Sequence, residues 1–268
     1  MQTNKLKQKG KQPLIKKPHL KGIAMSGLAA RRGLTILVYL LISAVLYFFL
    51  GQLLVIEVTW LRVLINVAVI LAFFGLMYSN GAKEGEGDVA YAEIALLRQQ
   101  EGKPIPKEEL ARCFHPMKGF VTVLIGALPL VLLCLAHALI AVKETYTLGA
   151  LPSWVKGYES RQDISLALNY YKNFSVIGVS DVLRLLVRLL VFPFVNIAGA
   201  GNADAILLIE RLSPLLILVA PLGYGVGYMR GEHFRSLVHS GIATNARKAA
   251  RKQRKTKQQS RPQPKQLV

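Results

Sequence analysis

Four long apolar runs constrain the fold of this sequence more than any other feature. Residues 34–56 contain no charged side chain and would form a helix of about 34 Å, enough to cross a hydrocarbon core of about 30 Å. The other runs are residues 61–79, 119–142 and 213–229, of which the last is near the lower length for a crossing. Such runs are too long and too apolar for soluble core helices. The sequence therefore predicts an all-α integral membrane protein, a bundle of four transmembrane helices.

The positive charge of the chain is concentrated at its two ends. Residues 1–56 hold nine Lys and Arg and no acid, and residues 230–268 hold eleven with a single acid, Glu232. Segments rich in Lys and Arg stay on the cytoplasmic side of a membrane, so both termini are predicted to be cytoplasmic in a multi-pass protein of the cell membrane. The electrically balanced middle excludes a basic globular nucleic-acid-binding domain and an acidic binder, and only two cysteines exclude a secreted disulfide scaffold.

A fifth segment, residues 181–198, is apolar overall but carries a polar stripe. Ser180, Arg184 and Arg188 recur every four residues and lie on one helix face. An arginine inside a span costs about 2.5 to 3.5 kcal/mol on insertion scales. The alternatives are a helix in the interface with its arginines toward headgroups, or a segment whose arginines face a cavity. Because both termini on one side require an even number of crossings, we expect an amphipathic or re-entrant helix on the outer side.

The apolar runs and charges together predict seven consecutive regions. Residues 80–87 favour a flexible exit from the second span, and Asp88 is a plausible N-cap of a helix that Gly102 ends. The following loop is interpreted either as a docking platform for a partner or as a solvated connector. The regions are a basic disordered cytoplasmic tail (1–32), a transmembrane hairpin (33–79), a cytoplasmic loop with short helices (80–118), a third transmembrane helix (119–142), an outer region with the amphipathic helix (143–198), a re-entry with the fourth transmembrane helix (199–231) and a second basic cytoplasmic tail (232–268).

Residues that carry chemistry are sparse in this sequence. Cys134 and His137 are three residues apart on the third span, but a zinc site needs about four ligands. No Walker, Rossmann, HExxH or CxxC pattern is present. We therefore predict a protein that is not an enzyme, with no catalytic residue, cofactor or metal site. Within the spans the polar side chains are few, Asn66 above all, and this near-absence of ionisable groups argues against a proton-coupled carrier.

The last span has the most specialised composition. Gly223, Gly227 and Gly231 repeat every four residues, a spacing that lets helix backbones approach closely. The glycines favour either packing inside the bundle or formation of a homo-oligomer. Pro214 and Pro221 predict a kink or a locally broken helix.

The basic tails and the lack of catalytic groups lead to the functional hypotheses. Each basic residue near an anionic inner leaflet contributes about 1 kcal/mol, so lipid is the favoured partner of the tails, with non-specific RNA contact as the alternative. No sequence-specific nucleic-acid binding is expected, since residues 245–265 lack aromatic side chains. The leading hypothesis is a non-enzymatic scaffold, assembly factor or accessory subunit of a membrane complex. The rival is a small permease or channel component that uses the Arg184/Arg188 helix and the Pro/Gly-rich last span, and a lipid-modifying enzyme ranks third.

Overall fold

The part of the chain that the structure describes is mostly helical. The computed structural model describes residues 14–143, 158, 161–164, 178–199 and 201–259, without the side chains of residues 52 and 254–259. Within these residues there is no β-strand. The helices are α1 (Gly27–Leu50), α2 (Thr59–Gln100), α3 (Lys107–Arg112), α4 (Lys118–Ile140), α5 (Val179–Leu190), α6 (Phe192–Ala198), α7 (Ala203–Met229) and α8 (Gly231–Gln259), with a 3-10 turn at Gly51–Leu54.

Four of these helices form the bundle predicted from the apolar runs. α1, α2, α4 and α7 are each long and apolar enough to cross a membrane. α7 lies at the centre, packed on α2 and α4, and α1 packs on α4. Large apolar side chains such as Phe49, Leu71 and Leu139 point outward from the bundle. An outward apolar surface of this extent is typical of helices that face lipid.

α2 corrects the prediction of a flexible exit at residues 80–87. The helix runs without interruption through this segment for 42 residues, a length of about 63 Å. Gly81 and Gly85 are buried against Tyr224 and Tyr228, so the glycines allow close helix contact and do not break the helix. Asp88 is no N-cap, because it lies in mid-helix and is buried. Gly102 does end the helix, with a φ of 80° that favours glycine.

α7 lies parallel to α2, and glycines form the contact. Gly223 meets Phe74, Gly227 meets Tyr78, and just beyond the end of α7, Gly231 meets Gly85. The structure therefore places the three predicted glycines in packing between helices of one chain.

α7 is uninterrupted at both prolines, so of the two predicted alternatives the locally broken helix is wrong and the kink stays a prediction. Pro214 lacks the N–H that would donate to the carbonyl of Glu210, and the Ser213 hydroxyl donates to that carbonyl instead at 2.8 Å. A serine hydroxyl is one of the groups that can satisfy a carbonyl freed by proline. Pro221 is buried in the same uninterrupted helix.

Replacing Gly227 by Ala should destabilise the bundle by about 1–3 kcal/mol, the usual cost of overpacking. A Cβ at this position would lie under 3.0 Å from the carbonyl of Tyr78, which is backbone and cannot move aside. Gly75→Ala is the matched control, because a Cβ there meets nothing within 4 Å. We expect Gly75→Ala to raise the melting temperature in detergent slightly, since alanine is the better helix former. Equal melting temperatures for the two variants would contradict the close contact between α2 and α7.

The two ends of the bundle differ in character. The end that holds the first turn of α1 and the last turn of α7 is here termed the basic end. The opposite end, termed the connector end, holds the 3-10 turn together with α5 and α6. Asn196 of α6 donates to the carbonyl of Leu54 at 2.6 Å and to Asn66 Oδ1 of α2 at 3.3 Å. Asn66, a predicted packing residue, thus ties α6 to α2.

The described parts of both terminal segments contact the bundle. Residues 14–25 cross the basic end, where the N–H groups of Leu20 and Gly22 donate to the carbonyls of Ala92 and Phe114. α1 begins at Gly27, because the Ser26 hydroxyl caps it by accepting from Ala29. The segment after the last span is the 29-residue helix α8, which packs along α2. Residues 80–100 of α2 together with α8 are here termed the stalk.

Candidate functional site

A buried carboxylate of α7 gathers basic side chains at the connector end. Glu210 is 1 % exposed, and its Oε1 accepts a hydrogen bond from Arg188 Nε at 2.6 Å. Arg184 Nε lies 3.6 Å from the same oxygen, and His137 Nε2 of α4 lies 3.5 Å from Oε2. These four residues, termed the Glu210 cluster, join α4, α5 and α7. A buried ion pair of this kind is stable only while all its charges are compensated.

The Glu210 cluster corrects two expectations from the sequence. Arg184 and Arg188 point toward Glu210 inside the protein, whereas the favoured interpretation had turned them toward lipid headgroups. The interior of the bundle also holds ionisable groups, contrary to the prediction. Glu210 was not counted among them because the last span was predicted to start at residue 213. α7 begins ten residues earlier, at Ala203, and so includes Glu210.

The helix that carries the two arginines is short for a physical reason. α5 ends at Leu190, and α6 begins at Phe192 with Pro193 in its first turn, a position that proline tolerates. The predicted single segment 181–198 is therefore two helices, of 12 and 7 residues. The longer one measures about 18 Å, less than a hydrocarbon core. Neither helix is long enough to cross a hydrocarbon core on its own, and the even number of crossings stays a prediction.

A second buried cluster lies near the basic end and joins all four long helices. Asp88 Oδ2 of α2 accepts hydrogen bonds from Lys118 Nζ of α4 at 2.6 Å and from Tyr228 Oη of α7 at 2.6 Å. Arg32 of α1 binds both Asp88 oxygens, at 2.8 and 2.9 Å. Lys118 is 0 % exposed and donates also to the carbonyls of Ala111 and Cys113. These four side chains, termed the Asp88 cluster, fix the relative positions of the four helices.

A third set of charges holds the stalk together. Arg235 of α8 donates to Glu93 of α2 from Nε and Nη2 at 3.2 and 3.1 Å, and His239 Nε2 lies 2.7 Å from Glu93 Oε1. Burial opposes the ionisation of Glu93, but the hydrogen bonds with His239 and Arg235 outweigh it and lower the pKa of Glu93 from its ordinary value of 4.5. Three apolar side chains of α8 are exposed close to this contact: Leu237, Val238 and Ile242, here termed the apolar strip.

The lowered pKa of Glu93 predicts an acid-sensitive stalk. A carboxylate with a folded-state pKa below its unfolded value stabilises the fold above the unfolded value, and this contribution disappears as pH falls through the folded pKa. We therefore expect the stability advantage of the wild type over Glu93→Gln to be complete above about pH 4.5 and to shrink below it. Hydrogen exchange of the α8 amides at several pH values measures this difference. Glu101→Gln, at an exposed position, should show no such trend.

The predicted residues separate into those that the structure brings together and those that it leaves apart. Arg184 and Arg188 meet at the Glu210 carboxylate, whereas Pro214 lies one turn further along α7, where Ser213 binds the Glu210 carbonyl. Asn66 belongs to the contact with α6, and the three glycines belong to the contact with α2. Pro221 lies in the buried face of α7, apart from both clusters.

Sequence reasoning missed the residues on which both clusters depend. One signal for Glu210 was available, because two arginines at membrane depth require a carboxylate partner. Asp88 gave a misleading signal, since an aspartate after a glycine-rich stretch is typical of a helix start.

The described part of the chain offers no metal centre. Among the residues whose placement is described, no three His, Cys, Asp or Glu side chains are arranged to hold an ion. No family model, curated protein or solved structure matches the chain. The four apolar helices suggest a multi-pass membrane protein.

Proposed function

We propose that the protein spans the cell membrane four times, with the basic end in the cytoplasm. The support is the length and apolarity of α1, α2, α4 and α7 together with the basic segments, which flank α1 and α7 at the same end. In this orientation α5 and α6 form a re-entrant pair on the outer side, and the stalk extends about 31 Å into the cytoplasm. Cysteines introduced at residues 60 and 250 would react with a membrane-impermeant reagent from opposite sides. Labelling of both from one side would contradict this topology.

Within this arrangement we propose that the protein is a non-enzymatic scaffold or accessory subunit that holds a partner protein on its stalk. The observation that carries the proposal is the apolar strip, three exposed apolar side chains within six residues of α8. Ile242 is 62 % exposed in a part of the protein that lies beyond the apolar runs. Exposed apolar patches rimmed by charge are typical of protein interaction sites.

The charge around the apolar strip describes the partner. Downstream of the strip α8 carries Arg247, Lys248, Arg251 and Lys252, with no acidic residue after Glu232. A complementary partner would therefore combine an apolar patch with an acidic surface beside it. Two oppositely charged surfaces attract each other over distances up to about the Debye length. This attraction determines the orientation of docking more than its affinity.

Purification in mild detergent tests the docking proposal. The wild type should retain a stoichiometric partner, and a variant with Leu237→Ser and Ile242→Ser should lose it, since both exposed apolar contacts are removed. The matched control carries Leu237→Met and Ile242→Val, which keep the strip apolar, and should retain the partner. Recovery of the wild type alone as a homo-oligomer, or retention of the partner by the serine variant, would exclude the docking role.

The Glu210 cluster favours one second candidate, a permease or channel component for small anions. Ionisable groups inside a membrane mark transport pathways by default, and Arg184 and Arg188 are the basic groups of this cluster. Chloride efflux from proteoliposomes is a suitable measurement. Replacing both arginines by glutamine should abolish the flux, and an unchanged flux would remove this candidate.

A further inference from the structure

A cavity of about 160 Å³ opens between α1 and α2, with Tyr224 of α7 among its lining residues. α1 packs on α4 while α2 packs on α7, so the two helices flank the cavity. Arg32, Thr35 and Tyr39 line it from α1, and Lys83 and Glu84 line it from α2. The cavity is smaller than the roughly 300 to 1,000 Å³ of pockets for drug-sized ligands. Its size suits a compact polar group.

Tyr224 supplies a buried donor that nothing in the described structure satisfies. The residue is 5 % exposed, and its hydroxyl has no hydrogen-bond partner among the described residues. Buried hydroxyl groups nearly always have a partner, so the Tyr224 hydroxyl is free to donate to an acceptor bound in the cavity. The acceptor must be small enough to enter between α1 and α2.

The charged groups at the mouth of the cavity indicate what this acceptor is. Lys83 is exposed and forms no ion pair with any described carboxylate. Arg32 is held by Asp88 and by Glu84, whose Oε2 lies 2.6 Å from Nη2. An ammonium and a phenol hydroxyl together suit a phosphate oxygen. The half-exposed Glu84 carboxylate can form an ion pair with a headgroup amine next to the phosphate.

The depth of the cavity matches a lipid headgroup. It lies where the apolar run of α1 meets Arg32 and where the apolar run of α2 gives way to Asn80 and Lys83. Three and seven residues beyond Tyr39 on the same face of α1, Ile42 and Leu46 are exposed, which provides an apolar surface for an acyl chain. We propose that this cavity binds the phosphate headgroup of a phospholipid from the cytoplasmic leaflet. The inference rests on the membrane embedding proposed above and is independent of the docking partner.

Native mass spectrometry of the full chain from nanodiscs tests the lipid site. Discs of phosphatidylcholine containing phosphatidylethanolamine should yield wild-type protein that keeps an ethanolamine lipid adduct. The double variant Lys83→Gln with Tyr224→Phe should keep about tenfold less, the ratio that 1.4 kcal/mol corresponds to. Tyr78→Phe and Lys103→Gln are the matched controls, because they remove the same groups away from the cavity, and they should retain the adduct.

The outcomes separate the possible sources of the phosphate. Equal adducts in the wild type and the double variant would overturn the site. The choice of a lipid ligand would be overturned if inorganic phosphate alone stabilised the delipidated protein as much as lipid does and the double variant lost this stabilisation. Recovery of the protein from cells without detergent would overturn the membrane embedding itself, independently of both results.

Discussion

Asp88→Asn should destabilise the protein by about 3–5 kcal/mol, the loss expected when one partner of a buried ion pair is removed. The amide keeps the shape of the side chain but leaves Lys118, which is fully buried, without a counter-charge, and deprives Arg32 of its bidentate partner. In a chain of this length the melting temperature in detergent should fall by about 10 °C. Heating followed by size-exclusion chromatography measures the shift.

A surface pair provides the control for Asp88. Lys103 and Glu101 lie 3.0 Å apart with both side chains exposed, so Glu101→Gln should cost less than about 1 kcal/mol. Adding Lys118→Met to Asp88→Asn should restore part of the lost stability, because the uncompensated charge is then gone. An Asp88→Asn variant as stable as Glu101→Gln would show that the Asp88 cluster does not hold the four helices together.

Glu210→Gln should have an effect of the same size at the connector end. The substitution leaves Arg184 and Arg188 beside a neutral amide in a site where Glu210 is almost completely buried, and the expected loss is again about 3–5 kcal/mol. Glu210→Asp keeps the charge on a shorter side chain, and its stability should lie between that of the wild type and that of Glu210→Gln. Melting temperatures in detergent for the three proteins, compared at one pH, measure the order.

The ion pair of Lys143 with Asp204 is the matched control at this end of the bundle. Asp204 is 77 % exposed, so Asp204→Asn should lower the melting temperature by only about 1–3 °C. If Glu210→Gln and Asp204→Asn proved equally stable, the Glu210 cluster would contribute no more than a surface pair. The docking role proposed for the stalk would be unaffected by that result.

The sequence predicts the helices well because long apolar runs have few alternatives. Each of the four runs lies within a helix long enough to cross a membrane, apart from the last residues of the first and third runs, and residues 181–198 are set apart by their arginines. Hydropathy fails where a helix continues past its apolar part, since a charge or a glycine then resembles a boundary. Glycines at 81 and 85 suggested a loop, but their contact with α7 makes them part of a helix.

The buried clusters escaped prediction for a different reason. Asp88 and Lys118 are 30 residues apart, and Arg188 and Glu210 are 22 apart. Nothing local in the sequence connects such residues, because their burial depends on which helices pack together. The arginine stripe is evident in the sequence, but its partner Glu210 lies before the predicted start of the last span. α7 includes Glu210 because it begins at Ala203.

The helical state of α8 has a consequence for the charge at its far end. Arg247 follows Arg230 by 17 residues, a distance of about 25 Å along a helix that runs beside α2 away from the bundle. At physiological ionic strength the Debye length is about 8 Å, so counter-ions screen most of the membrane's surface potential at that distance. In the topology proposed above, a flexible tail could fold back onto the leaflet, whereas the helix would hold these lysines and arginines away from lipid and leave them available to the acidic partner that we propose.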